Sequence, residues 1–171
     1  MTKDISILFS GGSDSTLAAL YAGSVLDSDF KRQLMASAYL GREFSRETIQ
    51  AVLSKRSLPY KKSDNIFAEA AELLVQGKVI GWYRSRMEFG PRALGNRSIL
   101  ASPTRPEIKD VVNRKVKHRE EFRPFAASVM KEEVSEYFED AQESPFMLKV
   151  FYFRDKYKNT FPAVNHCDNS C

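Results

Sequence analysis

Apolar residues at Ile66, Phe67, Ala70, Leu73 and Leu74 recur at helical spacing, and Gly77 stands where a left-handed cap would close the helix. This predicts a helix opening near Asp64, followed by a strand over residues 79–83. Upstream, Ser45 is a suitable N-cap and Glu47 a favourable first-turn acid for a helix through Ile49, Val52 and Leu53, which Pro59 would stop. Thr104 followed three positions later by Glu107 has the form of a capping box, predicting a helix through Val111 and Val112. Residues 131–138 read as a short helix. Residues 125–130 and 146–153 have the aromatic and β-branched content of strands. At the start of the chain, the apolar run over residues 5–9 leads into a glycine loop and then an alanine- and leucine-rich stretch over 16–26, which reads as strand, loop and helix. The alternation predicts an α/β fold, or a mixed α+β one, with a twisted sheet flanked by helices.

A chain of 171 residues fits one domain with a short extension, and 43% hydrophobic with 28% charged residues is the composition of a folded, water-facing protein. No apolar run reaches the roughly 20 residues of a membrane span, and no signal-peptide core follows Met1, so a cytoplasmic location is the expectation. The two cysteines, Cys167 and Cys171, crowd the last five positions and make no disulfide framework; with His166 nearby they are still not read as a metal site. A net charge of +4 permits polyanionic partners without requiring nucleic acid, and the basic residues lack the interleaved aromatic platforms of a single-strand binder.

The position of the positive charge is more informative than its sum. Arg84, Arg86, Arg92 and Arg97 fall within fourteen positions, in a stretch broken by Gly90-Pro91 and Gly95. Those breaks put the arginines on loops, where planar guanidinium forks match phosphate and carboxylate oxygens two at a time. Any one of them taken alone is as readily a surface or helix-capping residue; the set points to a phosphorylated ligand. Glu88, among them, is either a metal or water partner or a carboxylate that positions Arg86 or Arg92 by an ion pair. A second basic segment, from Asn113 to Phe125, includes Arg114, Lys115, Lys117, His118, Arg119 and Arg123 and turns at Pro124 toward an apolar stretch.

In chain order, Tyr39-Leu40-Gly41, Gly77-Lys78-Val79-Ile80-Gly81-Trp82, the run from Arg86 to Leu100, Asn113, Lys117-His118-Arg119-Glu120, Phe122-Arg123-Pro124-Phe125-Ala126, Ser144-Pro145-Phe146-Met147, and Pro162-Ala163-Val164 before His166 resemble the C-terminal domain of the O-carbamoyltransferases of nodulation-factor and antibiotic tailoring. The resemblance implies a domain similar to threonylcarbamoyl-adenylate synthase, in which carbamoyl phosphate and ATP, with Mg²⁺, give a carbamoyl-adenylate, phosphate and pyrophosphate. It also implies a separate metal-binding domain, here to be supplied by another chain, that moves the carbamoyl group to a hydroxyl acceptor. Carried over by motif position, Arg86, Arg92 and Arg123 would be catalytic, and Arg97, Lys117, Arg119, Ser128, Ser144 and His166 would contact substrate or nucleotide.

The sequence also departs from that pattern. Ser85 stands where the family has glycine, and the residues after His166 diverge from the family's continuation, which implies a truncated and incomplete module. Ser10, Gly11, Gly12, Ser13, Asp14 and Ser15 resemble the phosphate loop of the ATP pyrophosphatases, whose backbone N–H groups and helix N-terminus would cradle a phosphate. The expected organisation is a phosphate-loop-like fragment over residues 1–35 and a carbamoyltransferase C-terminal domain over 36–171. Two alternatives stand beside transfer chemistry: ATP-pyrophosphatase-type nucleotide binding through Ser10 to Ser15, and an inactive fused remnant.

Overall fold

The computed structural model describes residues 36–171, of which Tyr39–Cys171 form one compact unit. The strand, glycine loop and helix expected over residues 5–26, including Ser10 to Ser15, lie outside the described residues.

Helix α1 (Arg46–Lys55) begins as its sequence predicts, with the Ser45 hydroxyl accepting from the Thr48 N–H at 3.2 Å. It ends before Pro59 is reached: Ser57 adopts a left-handed φ of 52°, and the Leu58 N–H closes back on the Leu53 carbonyl at 3.0 Å. Helix α2 (Ile66–Val75) is capped by Asn65, whose side chain accepts from the Ala68 N–H at 3.1 Å. Gly77, at φ 78°, supplies the expected left-handed cap, so that the N–H groups of Gly77 and Lys78 return to the carbonyls of Leu74 and Leu73, each at 2.9 Å.

Strands β1 (Ile80–Tyr83) and β2 (Arg97–Leu100) pair antiparallel, with Ile80 opposite Leu100 and Tyr83 opposite Arg97. The thirteen residues between them are the arginine-bearing loop. Helix α3 (Glu107–Val111) starts after Pro106 rather than at Thr104. Proline's fixed φ and missing N–H suit the first turn of a helix, and the Thr104 hydroxyl instead shares a 2.9 Å hydrogen bond with Ser102. The helix then widens into a π-helical turn, Val112–Lys117, which stops at His118 with a left-handed φ of 48°. A 3-10 turn, Lys131–Glu133, runs into the short helix α4 (Val134–Tyr137), in agreement with the helix predicted there.

The core lies C-terminal to β2. Ile108 and Val112, four apart on one helix face, pack with Ala163 and with half-buried Val79, Ala101 and Phe125. A second cluster gathers Phe138, Phe153 and Val164; the Phe138 and Phe153 rings lie 4.6 Å apart and Phe161 stacks nearby at 5.9 Å from Phe153. Phe125 touches both clusters and joins them. The predicted strand over 125–130 shows the right alternation, with Phe125, Ala127 and Val129 turned to the aromatic cluster and Ser128 exposed, yet it forms no ladder among the described residues. The 146–153 stretch likewise contributes only isolated bridges, Phe138 with Phe153 and Tyr152 with Ser170. Apolar alternation set the burial of the first stretch without supplying the neighbouring backbone that a ladder needs, whereas in the second Leu148 and Val150 stay exposed. The result is a mixed α and β fold with helices around a small antiparallel sheet, the broader of the two classes the sequence allowed.

Candidate functional site

The arginine-rich loop is organised by a carboxylate. Glu88 is 9% exposed, and its Oε1 accepts three backbone N–H groups, from Leu94 at 2.7 Å, Asn96 at 2.8 Å and Arg97 at 3.3 Å. The Gly95 N–H donates to the Ser98 hydroxyl at 2.9 Å, and the Asn96 side-chain amide donates to the Arg86 carbonyl at 2.7 Å. Burial pushes the Glu88 carboxyl upward, but the N–H groups of Asn96, Leu94, Glu88 itself and Arg97 outweigh that and hold it below its ordinary value. Glu88 therefore makes no ion pair with Arg86 or Arg92: backbone amides compensate its charge.

Two arginines of the cluster, one in the loop and one at the start of β2, are engaged by backbone carbonyls. Arg86 donates through Nε to the Gly41 carbonyl at 3.1 Å and through Nη2 to the Leu40 carbonyl at 3.2 Å. Arg97 donates to the carbonyls of Arg84 (2.6 Å), Asn96 (2.9 Å), Ser85 (3.0 Å) and Arg42 (3.5 Å), and its guanidinium lies 3.6 Å from the Tyr83 ring centroid. Together they fasten residues 40–42 to the loop, where Gly41 and Met87 also exchange a backbone bond of 2.9 Å. A Cβ at Gly41 would meet the Met87 carbonyl oxygen at 2.8 Å, so only glycine allows this approach. Arg92 differs: it is exposed, and among the described residues it makes no hydrogen bond or ion pair. Ser85, just before Arg86, holds a left-handed φ of 46°, a conformation that costs a β-carbon-bearing residue free energy that glycine avoids.

The second basic segment is organised by an amide. The Asn113 side chain, fully buried in the π-helical turn, donates to the Glu121 carbonyl at 3.2 Å and the Arg123 carbonyl at 3.1 Å, and accepts from Arg119 Nε at 2.7 Å. The Arg119 guanidinium also lies 4.7 Å from the Phe125 ring centroid. Arg123 pairs with Glu120 at 2.8 Å, and Arg114 bonds Glu121. The turn thus gathers Arg114, His118, Arg119, Glu120 and Arg123 around a shallow hollow of about 660 Å³, open to solvent. Its wall carries three guanidiniums, planar donors of the kind that match oxyanions, two of which are paired with glutamates.

The other predicted site residues scatter. Lys117 and Ser128 are exposed and Ser144 is half-buried; none of the three has a side-chain hydrogen bond among the described residues. His166 lies among the last residues of the sequence, with its Nδ1 3.1 Å from the Ser170 hydroxyl and its Nε2 3.3 Å from the Phe125 carbonyl. Ser170 in turn donates to Asp168 at 2.7 Å, a bond that lowers the Asp168 carboxyl from its ordinary range. Cys171 is drawn into the aromatic cluster, where burial pushes its thiol up, against the Ala127 N–H that bonds its sulfur at 3.3 Å. Among the described residues no group of three or more His, Cys, Asp or Glu side chains is placed to hold a metal ion, and no helix is long and apolar enough to cross a membrane. Sequence reasoning did not single out Arg114 and His118 as site residues, or Asn113 as the organiser of the hollow. The density of cations after a capped helix was the available signal.

The profile described as carbamoyltransferase C-terminus matches residues 71–171, which include both loops. Nodulation protein NolO of Bradyrhizobium diazoefficiens is 41% identical over 159 residues, aligning 90% of this chain with 29% of that protein. Nodulation protein NolNO of Sinorhizobium fredii is 38% identical over 159 residues, again 90% of this chain but 23% of the relative. An uncharacterized Synechocystis protein is 38% identical over 164 residues, with 82% and 27% covered. The chain spans less than a third of the length of each of these relatives. On the family match and these identities, the chain belongs to the carbamoyltransferase family and carries its C-terminal domain.

Proposed function

We propose that this chain supplies the anion-handling part of a carbamoyl transfer reaction, bringing carbamoyl phosphate and ATP together to form a carbamoyl-adenylate that is then passed to an acceptor hydroxyl. The observation that carries the reading is the hollow walled by Arg114, His118, Arg119 and Arg123 inside the region matched by the family. Arg92, standing unengaged on the clamped loop, adds a further cation that needs no partner to be displaced before it meets a phosphate.

Chemically, phosphate leaves the carbamoyl carbon to water, a carbamate oxygen bonds the α-phosphorus of ATP, and pyrophosphate leaves. Both reactants are anionic, so the protein's task is to orient them and offset their repulsion, which fixed guanidiniums do well. Arg119, held by Asn113 and by the Phe125 ring, is rigid enough to orient a phosphate; Arg123 would exchange Glu120 for the ligand. Mg²⁺ fits this donor set as a companion of the nucleotide phosphates, since such ions are commonly bound by one or two carboxylates plus substrate oxygens. Glu120, on the wall of the hollow, and Glu121, paired with Arg114 beside it, are the carboxylates that would approach it. Transfer to the acceptor would fall to a metal-binding domain on a separate chain or elsewhere in a longer polypeptide.

Isothermal titration with ATP and Mg²⁺, with and without carbamoyl phosphate, tests the reading. Binding that weakens about tenfold or more in both Arg119→Ala and Arg92→Ala is the expected outcome. A folded wild-type chain that binds neither ligand, or variants that bind as the wild type does, would remove it.

A further inference from the structure

We propose that Glu88 is the positioning residue for Arg92: one buried carboxylate oxygen closes the loop that carries this guanidinium and holds it ready before an anion arrives. The proposal rests on the anion-binding reading of Arg92 given above. It deepens that reading by naming what presents the cation.

The loop leaves at Glu88 and returns at Leu94, and the Glu88 Oε1 reaches the Leu94 N–H at 2.7 Å, so a single bond spans the loop's mouth. The same oxygen takes the N–H groups of Asn96 and Arg97, and Ser98 takes that of Gly95. Four consecutive backbone donors, 94 to 97, are therefore held by two side chains. The Asn96 amide bonds the Arg86 carbonyl at 2.7 Å and seals the other side. Within the loop, Pro91 fixes its own φ and offers no N–H, which removes further freedom next to Arg92. Backbone order here comes from a side chain that is only 9% exposed, while the Arg92 side chain is left exposed and unpaired among the described residues.

A role for the Glu88 Oε1 as a ligand for a cation conflicts with this geometry because that oxygen already accepts three donors. A role limited to fold stability is the competing explanation, and it makes a different prediction. A residue that only stabilises the fold affects ligand affinity independently of Arg92. A residue that positions Arg92 loses its effect when Arg92 is absent.

The experiment uses the full chain and four variants: Glu88→Ala, Glu88→Gln, Arg92→Ala and the Glu88→Ala/Arg92→Ala double variant. Gln keeps an oxygen where Oε1 stands, so it serves as the folded control. Amide hydrogen exchange at Leu94, Asn96 and Arg97 is read first, without ligand. Exchange about tenfold faster or more in Glu88→Ala, and restored in Glu88→Gln, is expected. Affinity for ATP–Mg²⁺ with carbamoyl phosphate should fall about tenfold in Glu88→Ala, recover in Glu88→Gln, and be no lower in the double variant than in Arg92→Ala. Unchanged exchange in Glu88→Ala overturns the positioning role alone, as do losses that add in the double variant. Arg92→Ala binding as the wild type does, or a wild type that does not bind, overturns the anion-binding reading and the positioning role with it.

Discussion

The two arginine-bearing loops are built around opposite kinds of buried polar group. In the loop between β1 and β2 the organiser is a charge, Glu88, compensated entirely by backbone N–H groups. In the π-helical turn and its continuation the organiser is neutral, Asn113, which spends its donors on two carbonyls and its acceptor on Arg119. The difference decides where the cations end up. A carboxylate held by three amides on one oxygen pairs with no arginine here and leaves Arg92 unengaged, whereas the amide oxygen of Asn113 takes a guanidinium and fixes it on the wall of the hollow. One loop presents a mobile fork on a rigid base; the other presents a fork that is itself held.

The largest effects should come from removing either organiser. Asn113→Ala strands the Glu121 and Arg123 carbonyls and releases Arg119, and should lower stability by about 3 kcal/mol, read as an earlier urea midpoint. Asn113→Asp keeps the acceptor for Arg119 but loses both donors, so part of that loss should persist. Glu88→Ala should cost roughly 2 to 3 kcal/mol, since three N–H groups lose one acceptor together. If Glu88→Ala proved harmless while Asn113→Ala did not, the contrast between the two organisers would break.

The charge on Glu88 gives a second handle. Its carboxyl is held below the ordinary value in the folded chain, so the contribution is complete above the ordinary carboxylate range, near 4.5, and fades as pH falls through the lower folded value. Acid titration of the thermal midpoint should therefore be flatter below about pH 4.5 in Glu88→Gln than in the wild type. Asn113 does not titrate, and Asn113→Ala should leave the acid limb unaltered in shape.

A smaller effect tests the backbone beside Arg86. Ser85→Gly relieves a left-handed φ of 46° and should raise stability by about 1 kcal/mol, less the entropy that glycine adds to the unfolded chain. The smallest change is expected at the rim of the hollow. Arg123 and Glu120 are both about half exposed, and breaking their pair with Glu120→Gln should lower the urea midpoint only slightly. Its effect on anion binding should have the opposite sense, because Arg123 no longer has a competing carboxylate.

Local signals in the sequence translated well into local structure. Ser45 and Gly77 cap the helices they were expected to cap, because capping depends on residues within one turn. Thr104 failed as a cap since Pro106 imposes the start of α3, a competition between two nearby signals that composition alone does not rank. The stretch over 125–130 has its alternating burial without a ladder, because alternation encodes which side chains turn inward and not which backbone lies alongside. The site was legible as a kind of chemistry more than as a set of roles. Arg86, Arg92 and Arg97 look alike in sequence, but backbone carbonyls occupy two of them, and a carbonyl partner leaves no trace in the identity of the residue that offers it. Glu88 was recognised as a partner inside the cluster, yet its true partners are amides, equally silent in the sequence. His166, drawn by resemblance toward the ligand, meets Ser170 and Phe125 instead.

The bond that joins residues 40–42 to the arginine loop has a consequence for the order in which the molecule is assembled. Glu88 reaches Asn96 across eight positions, a closure that a short segment can make early and quickly. Arg86 reaches Leu40 across forty-six, and Arg97 reaches Arg42 across fifty-five. Closing such long separations is slow relative to local pairing. A nascent chain would therefore hold its loop in shape through Glu88 first, and anchor it to residues 40–42 only after both helices α1 and α2 had been made and folded out of the way.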